Sequence, residues 1–259
     1  MSGEILTERT GPVATVILSA PERLNAMNLA MWQGIADAFV ALDKDDGLRC
    51  IVMRGAGEKA FAAGADIAEF ASERFDRDSA RTYGGIMAAA LEAIQNCRHP
   101  VLAMIHGACV GGGLELACCC DMRICGTGSR FGVPVKNLGL VVALNEMQAV
   151  ASVVGRATAL EIVLEGRIFG AEEALQKGLV NRVVPNDQVT QEAEATARRI
   201  ADGAPLVARW HKSFARRLTD PQPLSEADIE ESYACFDTED FQTGYKAFLA
   251  KEKPEFRGK

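Results

Sequence analysis

Two short stretches rich in small residues carry the chemistry that this chain could perform. The first is Phe61-Ala62-Ala63-Gly64-Ala65-Asp66-Ile67; the second is Ile105-His106-Gly107-Ala108-Cys109-Val110-Gly111-Gly112-Gly113-Leu114-Glu115-Leu116. In the first, small side chains let a ligand approach the backbone, and Gly64 permits a left-handed bend that turns neighbouring N–H groups outward. The same stretch also reads as a tight strand-to-helix turn, with Asp66 capping a short helix. In the second, three successive glycines open a helix at a cost of about 1 kcal/mol each relative to alanine, which points to a need for the backbone itself. N–H groups at a helix start lack intrahelical acceptors and carry partial positive charge, so they can donate to a developing oxyanion. Glu115 follows Gly112 on the same helical face, one turn along. A carboxylate there is placed for proton transfer, and its neighbours Leu114, Leu116, Ala117 and Cys118 are surroundings that raise a carboxyl pKa.

Other uses of glycine-rich turns do not fit. The spacing Gly107-x3-Gly111-Gly112-Gly113 is not the dinucleotide fingerprint, no Lys-Ser/Thr pair follows to cradle a phosphate, and there is no G-x-S-x-G. The 8 cysteines include the consecutive Cys118, Cys119 and Cys120 but no CxxC pair. They read as small buried apolar side chains in a reducing compartment, not as a metal site. A net charge of -7 argues against a nucleic-acid partner. The apolar run Val101–Cys120 is interrupted by His106, Glu115 and glycines, so no membrane span is expected there. The start Met1-Ser2-Gly3-Glu4 has neither a basic nor an apolar targeting segment. The expectation is a cytoplasmic protein without a resident metal or cofactor.

The elements that must position the two stretches follow from pattern. Glu4–Glu8 and Val13–Leu18 alternate as strands around a Thr10-Gly11 turn. Asn28 caps a helix from Leu29 to about Leu42 with Met31, Ile35, Phe39 and Leu42 on one face. Cys50–Arg54, Val101–Ile105, Met122–Cys125 and Val180–Val184 read as strands, with helices over Ser79–Cys97 and Gly113–Cys120. The polar stretch Ala71–Arg81 reads as a mobile surface loop beside a site. Beyond Asn145 the periodicity predicts helices near 145–154, 158–165, 171–177, 187–202, 205–218, 225–236 and 240–252. The alternation gives an α/β core over 1–190 with the oxyanion site, then a helical C-terminal region over 191–259. A weakly repeated strand–strand–helix unit is visible without a fixed period.

With these residues in hand, the chain resembles the enoyl-CoA hydratase/isomerase (crotonase) superfamily over nearly its whole length. The resemblance rests on both glycine turns and on Pro21-Glu22-Arg23-Leu24-Asn25-Ala26-Met27-Asn28, Ala117–Asp121 running into Met122-Arg123-Ile124, Phe131-Gly132-Val133-Pro134, Gly155-Arg156-Ala157, and Ala171-Glu172-Glu173-Ala174 leading to Gly178-Leu179-Val180. It implies a spiral of repeated ββα units with a helical C-terminal trimerisation region, as a homotrimer or a hexamer built as a dimer of trimers. It implies an acyl-CoA substrate whose thioester oxygen meets the amides of Ala65 and Gly112, with Glu115 as a catalytic glutamate. Coenzyme A and the acyl group would lie along Arg23, Asn25, Ala26, Ala63, Asp66, Ile67, Gly111 and Val135, and against Phe248 and Lys251, often from a neighbouring subunit.

One departure bears on the reaction. The hydratase pattern places a second glutamate directly after the proline of Phe-Gly-x-Pro, and Val135 stands there. Valine neither activates water nor delivers a proton. Glu115 alone could run a syn hydration or an allylic isomerisation, and Glu146 is a possible second acid or an ordinary first-turn helix residue. An apolar pocket of Val135, Val141 and Val142 would favour decarboxylation or a bulky acyl group. Three outcomes stay open: a hydratase or isomerase of fatty acid metabolism, a decarboxylase or C–C hydrolase on the same scaffold, and a catalytically weakened acyl-CoA-binding protein. Asp66 and Asp121 are expected as structural acceptors.

Overall fold

A computed structural model describes residues 3–259. Two sheets stack into a spiral. The larger has the order β1 (Glu4–Thr10), β2 (Val13–Ser19), β3 (Cys50–Gly55), β5 (Val101–Ile105), β7 (Met122–Gly126), β10 (Arg182–Val184); the smaller has the order β4 (Ala60–Ala62), β6 (Ala108–Val110), β8 (Arg130–Gly132), β9 (Phe169–Gly170). β1 and β2 are antiparallel, β8 and β9 likewise, and every other pairing is parallel. The chain alternates between sheets and then crosses back through helices: β3 and β4 lead to α2 (Phe70–Glu73) and α3 (Arg77–Asn96), β5 and β6 to α4 (Gly112–Cys119), and β7 and β8 to α5 (Leu144–Glu165). The expected ββα repeat is therefore present as three successive turns.

The two faces of the large sheet are covered differently. Ala14, Val16, Leu18, Ile51, Met53, Ala103 and Ile105 face the interior of the spiral, where they pack with α1 (Leu29–Asp43), α3 and α4. Cys50, Val52, Leu102, Met104 and Ile124 face the other way, onto Val189, Ala193 and Ala197 of α7 (Val189–Ala201). This two-sided burial explains why β3 and β5 read as continuous apolar runs instead of alternating ones. Asn28 caps α1 as expected, its side chain accepting from the Met31 amide at 2.8 Å, and Met31, Ile35 and Phe39 are buried.

The sequence reading needs correction in several places. The stretch Ala71–Arg81 is not a loop: α2 and the start of α3 occupy most of it, and Asp76 with Ser79 forms a capping box that starts α3 at Arg77. The polar composition there reflects exposure, not irregular backbone. The short strands β4, β6, β8 and β9 have no counterpart in the sequence reading, because runs of two or three residues carry no period. The helix break near residue 155 is real, since Gly155 has φ 76 inside α5. The expected helix 225–236 is α9 (Glu226–Glu231) followed by a separate turn at Ala234–Asp237.

The remaining helices are α6 (Ala171–Gln176), α8 (Pro205–Arg217) and α10 (Glu239–Ala250). The C-terminal tail returns to the core, where Arg49 reaches the carbonyls of Ala201 and Phe256 and Lys212 donates to His99 O at 3.0 Å. α5 is also long and apolar enough to cross a membrane by length and composition, a test that core helices of soluble proteins pass as well.

Candidate active site

The two small-residue bends meet. Gly64 has φ 104 and Gly111 has φ 53, backbone that side chains rarely adopt. A Cβ built on Gly64 would lie 3.1 Å from Val110 O and 3.4 Å from the amide nitrogen of Gly112, so the chain segments touch through their backbones. A Cβ on Gly113 would strike Ala62 O at 2.4 Å, which explains the third glycine as a close approach between α4 and β4.

Around Ala65 the backbone is pinned on one side. Ala63 N donates to Leu24 O at 3.0 Å, Met27 N to Gly64 O at 2.8 Å, and Asp66 N to Met27 O at 2.8 Å. Successive amides of an extended segment point to opposite sides, so with Asp66 N–H directed at Met27, Ala65 N–H is directed away from it. Among the described residues neither Ala65 N–H nor Gly112 N–H donates to a backbone acceptor. Gly112 is the first residue of α4, where an amide has no intrahelical acceptor and helix-end charge is positive. Trp32 of α1 backs this turn, since a Cβ at Gly112 would meet its ring at 3.0 Å.

The same hydrogen bonds bring Arg23, Asn25, Ala26, Ala63, Asp66 and Ile67 into two adjacent segments. Asn25 is 1 % exposed, and its side chain is fully engaged, accepting from Ala20 N and donating to Ala56 O and Ala60 O. The amides of Asn25 and Ala26 are engaged as well, with Ala20 O and Arg23 O, so only their carbonyls are left to meet a ligand. Asp66 pairs with Arg23 and accepts from Ala68 N at 3.1 Å, so it is the structural acceptor expected. Asp121 is another, accepting from Val101 N at 2.7 Å and pairing with Lys212 at 2.8 Å. Ile67 is exposed beside them.

Glu115 is 3 % exposed on α4, and among the described residues no hydrogen bond reaches its carboxylate. Burial first, then the charge of Glu146, push its pKa up to about 8, while the charge of Arg74 opposes this. Glu146, in the first turn of α5, is buried too. It accepts from the Ala143 amide at 2.8 Å, as a first-turn helix acid does, and its charge also acts on Glu115. Burial raises its pKa, against the Ala143 amide and the Arg74 charge. The two expectations for Glu146 are therefore not exclusive. Two carboxyl groups, both raised by burial and one of them also by the other's charge, favour states in which they share protons.

Sequence reasoning misses Arg74 as a contributor, because its segment reads as a loop and no spacing ties it to either glutamate. Its one signal is the cluster of arginines beside the first bend. Val135 sits in a short turn at Pro134–Leu138, packed against the core, and Val142 is buried. Val141 is 88 % exposed, so the expected pocket of Val135, Val141 and Val142 is not formed. Phe248 is 82 % exposed near the end of α10, and Lys251 is exposed just beyond it with φ 58. All 8 cysteines are free thiols, and Cys118, Cys119 and Cys120 are buried in α4 and its end, their thiols pushed up by burial. A separate cavity of about 730 Å³ lies on the opposite face of the large sheet, lined by Arg54, His106 and Thr190 among others, and none of the expected site residues lines it.

The chain is similar to proteins of one family. The family model described as enoyl-CoA hydratase/isomerase matches residues 8–259. A probable enoyl-CoA hydratase of Mycobacterium tuberculosis is 36% identical over 97% of both chains. The crotonyl-CoA hydratase of Syntrophomonas wolfei is 32% identical over 98% of both. The crystal structure of an enoyl-CoA hydratase/carnithine racemase from Magnetospirillum magneticum is 50% identical, with a TM-score of 0.97 over 98% of this chain and 96% of that one. With the spiral of ββα turns and the paired bends in place, the chain belongs to the enoyl-CoA hydratase/isomerase family and is an enzyme of that family.

Proposed function

We propose that this enzyme hydrates the double bond of a 2-enoyl-CoA, with Ala65 N–H and Gly112 N–H as the donors to the thioester oxygen and with Glu115 and Glu146 as acid and base. The observation that carries it is the meeting of the two bends, with both amides uncommitted to backbone acceptors. Charge that develops on the thioester oxygen as water adds at Cβ is stabilised by two main-chain dipoles that need no reorganisation. One glutamate takes a proton from water and the other returns one to Cα. A pair holding a single proton is suited to both tasks, and the raised carboxyls of Glu115 and Glu146 support such a state near neutral pH. Glu146 thereby takes the part left empty by Val135.

Coenzyme A runs along the backbone of Arg23–Ala26 and Ala63–Ile67, with Gly111 and Val135 beside the acyl group. Helices after residue 190 form the assembly surface of a homotrimer or a pair of trimers, which would bring Phe248 and Lys251 to a neighbour's ligand. The exposure of Phe248, Leu249, Leu218 and Tyr233 in the single chain supports such an interface.

Loss of the absorbance of crotonyl-CoA, followed in the wild type and in Glu115→Gln, tests the proposal. Hydration by the wild type that falls by about 10³-fold in the variant is expected. Exchange of the Cα proton without net hydration would move the assignment to isomerisation or decarboxylation, and tight coenzyme A binding without either reaction would make the chain a binding protein.

A further inference from the structure

Arg74 follows α2 and precedes α3. Its guanidinium carbon lies 4.7 Å from the ring centroid of Phe70 and 4.8 Å from that of Tyr83, so the planar group is held against both aromatic side chains. Its Nε is buried and has no hydrogen-bond partner among the described residues. Tyr83 is buried on α3, and α3 packs against both α4 and α5, the helices that carry Glu115 and Glu146.

We propose that Arg74 is a positioning residue for the reaction: gripped by Phe70 and Tyr83, its charge offsets one of the two buried glutamates, so that the pair stands as one acid and one base. The proposal rests on the assignment of Glu115 and Glu146 as the acid–base pair. Two carboxyl groups in a water-poor site resist ionisation, first by lost hydration and then by mutual repulsion. With no cation near, both hold protons and no base is available. One fixed guanidinium makes the singly ionised pair the favoured state.

The other titratable groups around the pair do not supply that charge. Cys118 and Cys119 feel Glu115 from α4 itself, and burial keeps their thiols neutral. Tyr83 faces Asp66 and Glu69 as well as Arg74, and burial pushes its phenol up to about 12. Arg74 is the cation that acts on both glutamates, pulling each carboxyl down against its burial.

The test is titration of the glutamate carboxyl carbons by NMR in ¹³C-labelled protein, run on wild type, R74M, R74Q and R74K beside the pH profile of kcat/KM for crotonyl-CoA. In R74M and R74Q the carboxyl of the pair that ionises first should titrate higher by about one pH unit or more, as loss of a nearby charge implies, and the acid limb of the profile should move up with it. R74K should restore most of that shift. Circular dichroism identifies folded variants. Should both neutral variants fail to fold, Y83L, which removes one side of the grip, should move the same carboxyl upward by less. Carboxyl titrations unchanged from wild type in the folded neutral variants, or in Y83L if it stands alone, overturn the proposal. A wild type that fails to hydrate crotonyl-CoA but shows the shift on losing Arg74 would defeat the hydratase assignment and leave the charge pairing standing.

Discussion

The main-chain half of the candidate site and its side-chain half meet on α4, which carries both Gly112 and Glu115, but they are held by different forces. Ala65 and Gly112 are placed by contact: Gly64 and Gly111 adopt left-handed backbone, and a single carbon added at Gly64 would come within 3.1 Å of Val110 O. Their hydrogen-bonding power does not titrate. Glu115 and Glu146 are placed by two helices from successive turns of the spiral, and what they can do depends on burial, on each other and on Arg74. Under the proposed function, packing determines where the substrate oxygen sits, and electrostatics determines which carboxyl holds a proton. Damage to the first half should lower the rate without changing its pH dependence; damage to the second should change both.

The largest effect expected from breaking the main-chain half is in Gly64→Ala. The strained φ and the contact with Gly112 should misplace one oxyanion donor and reduce kcat by about 10²–10³-fold, with both limbs of the pH profile where they were. A shifted limb would show that the bends and the acids are not separable. Glu146→Gln should cost about 10²-fold in kcat and should also move the alkaline limb. Its charge is one of the causes that raise Glu115, so removing it lowers that carboxyl from about 8 and brings the alkaline fall to lower pH. An alkaline limb that stays in place would detach Glu146 from the pair.

A smaller effect concerns stability. Glu115 holds its proton in the folded state to about pH 8, while the unfolded chain releases it near the ordinary 4.5. The folded state then binds more protons across that window, so this group destabilises increasingly as pH rises from the ordinary carboxylate range to about 8. Thermal melts of Glu115→Gln should accordingly gain on the wild type as pH rises through that window; a constant difference would mean that Glu115 is ionised throughout. The smallest effect is expected at Lys251, which is exposed: Lys251→Ala should raise KM for the acyl-CoA by less than about fivefold and leave kcat unchanged, as suits a solvent-screened charge on phosphate.

Much of the main-chain half is legible in the sequence. Gly111-Gly112-Gly113 stands at the start of a helix where glycine is costly, and Glu115 follows one turn later among apolar neighbours. β1, β2, β3, β5 and α1 are readable because burial of one or both faces imposes a pattern on their residues. The small sheet is not, since β4, β6 and β8 are three residues each and owe their pairing to the stacking of spiral turns. Val141 is misplaced by sequence reasoning because its neighbours Leu140 and Val142 give no sign of which turns inward. Arg74 escapes it because polar residues on a short exposed helix look like those of a loop.

The sequence by itself determined that this chain builds an α/β core with two glycine turns that permit close backbone approach, because steric limits on glycine and the repeat of apolar residues are local properties. Only the tertiary structure decided that Gly64 lies against Gly112, that Glu146 is buried where its charge acts on Glu115 while Val135 packs against the core, and that Arg74 is held where its charge acts on both acids. Those relations join residues far apart in sequence, and their strength depends on how completely water is excluded between them, which no single segment specifies.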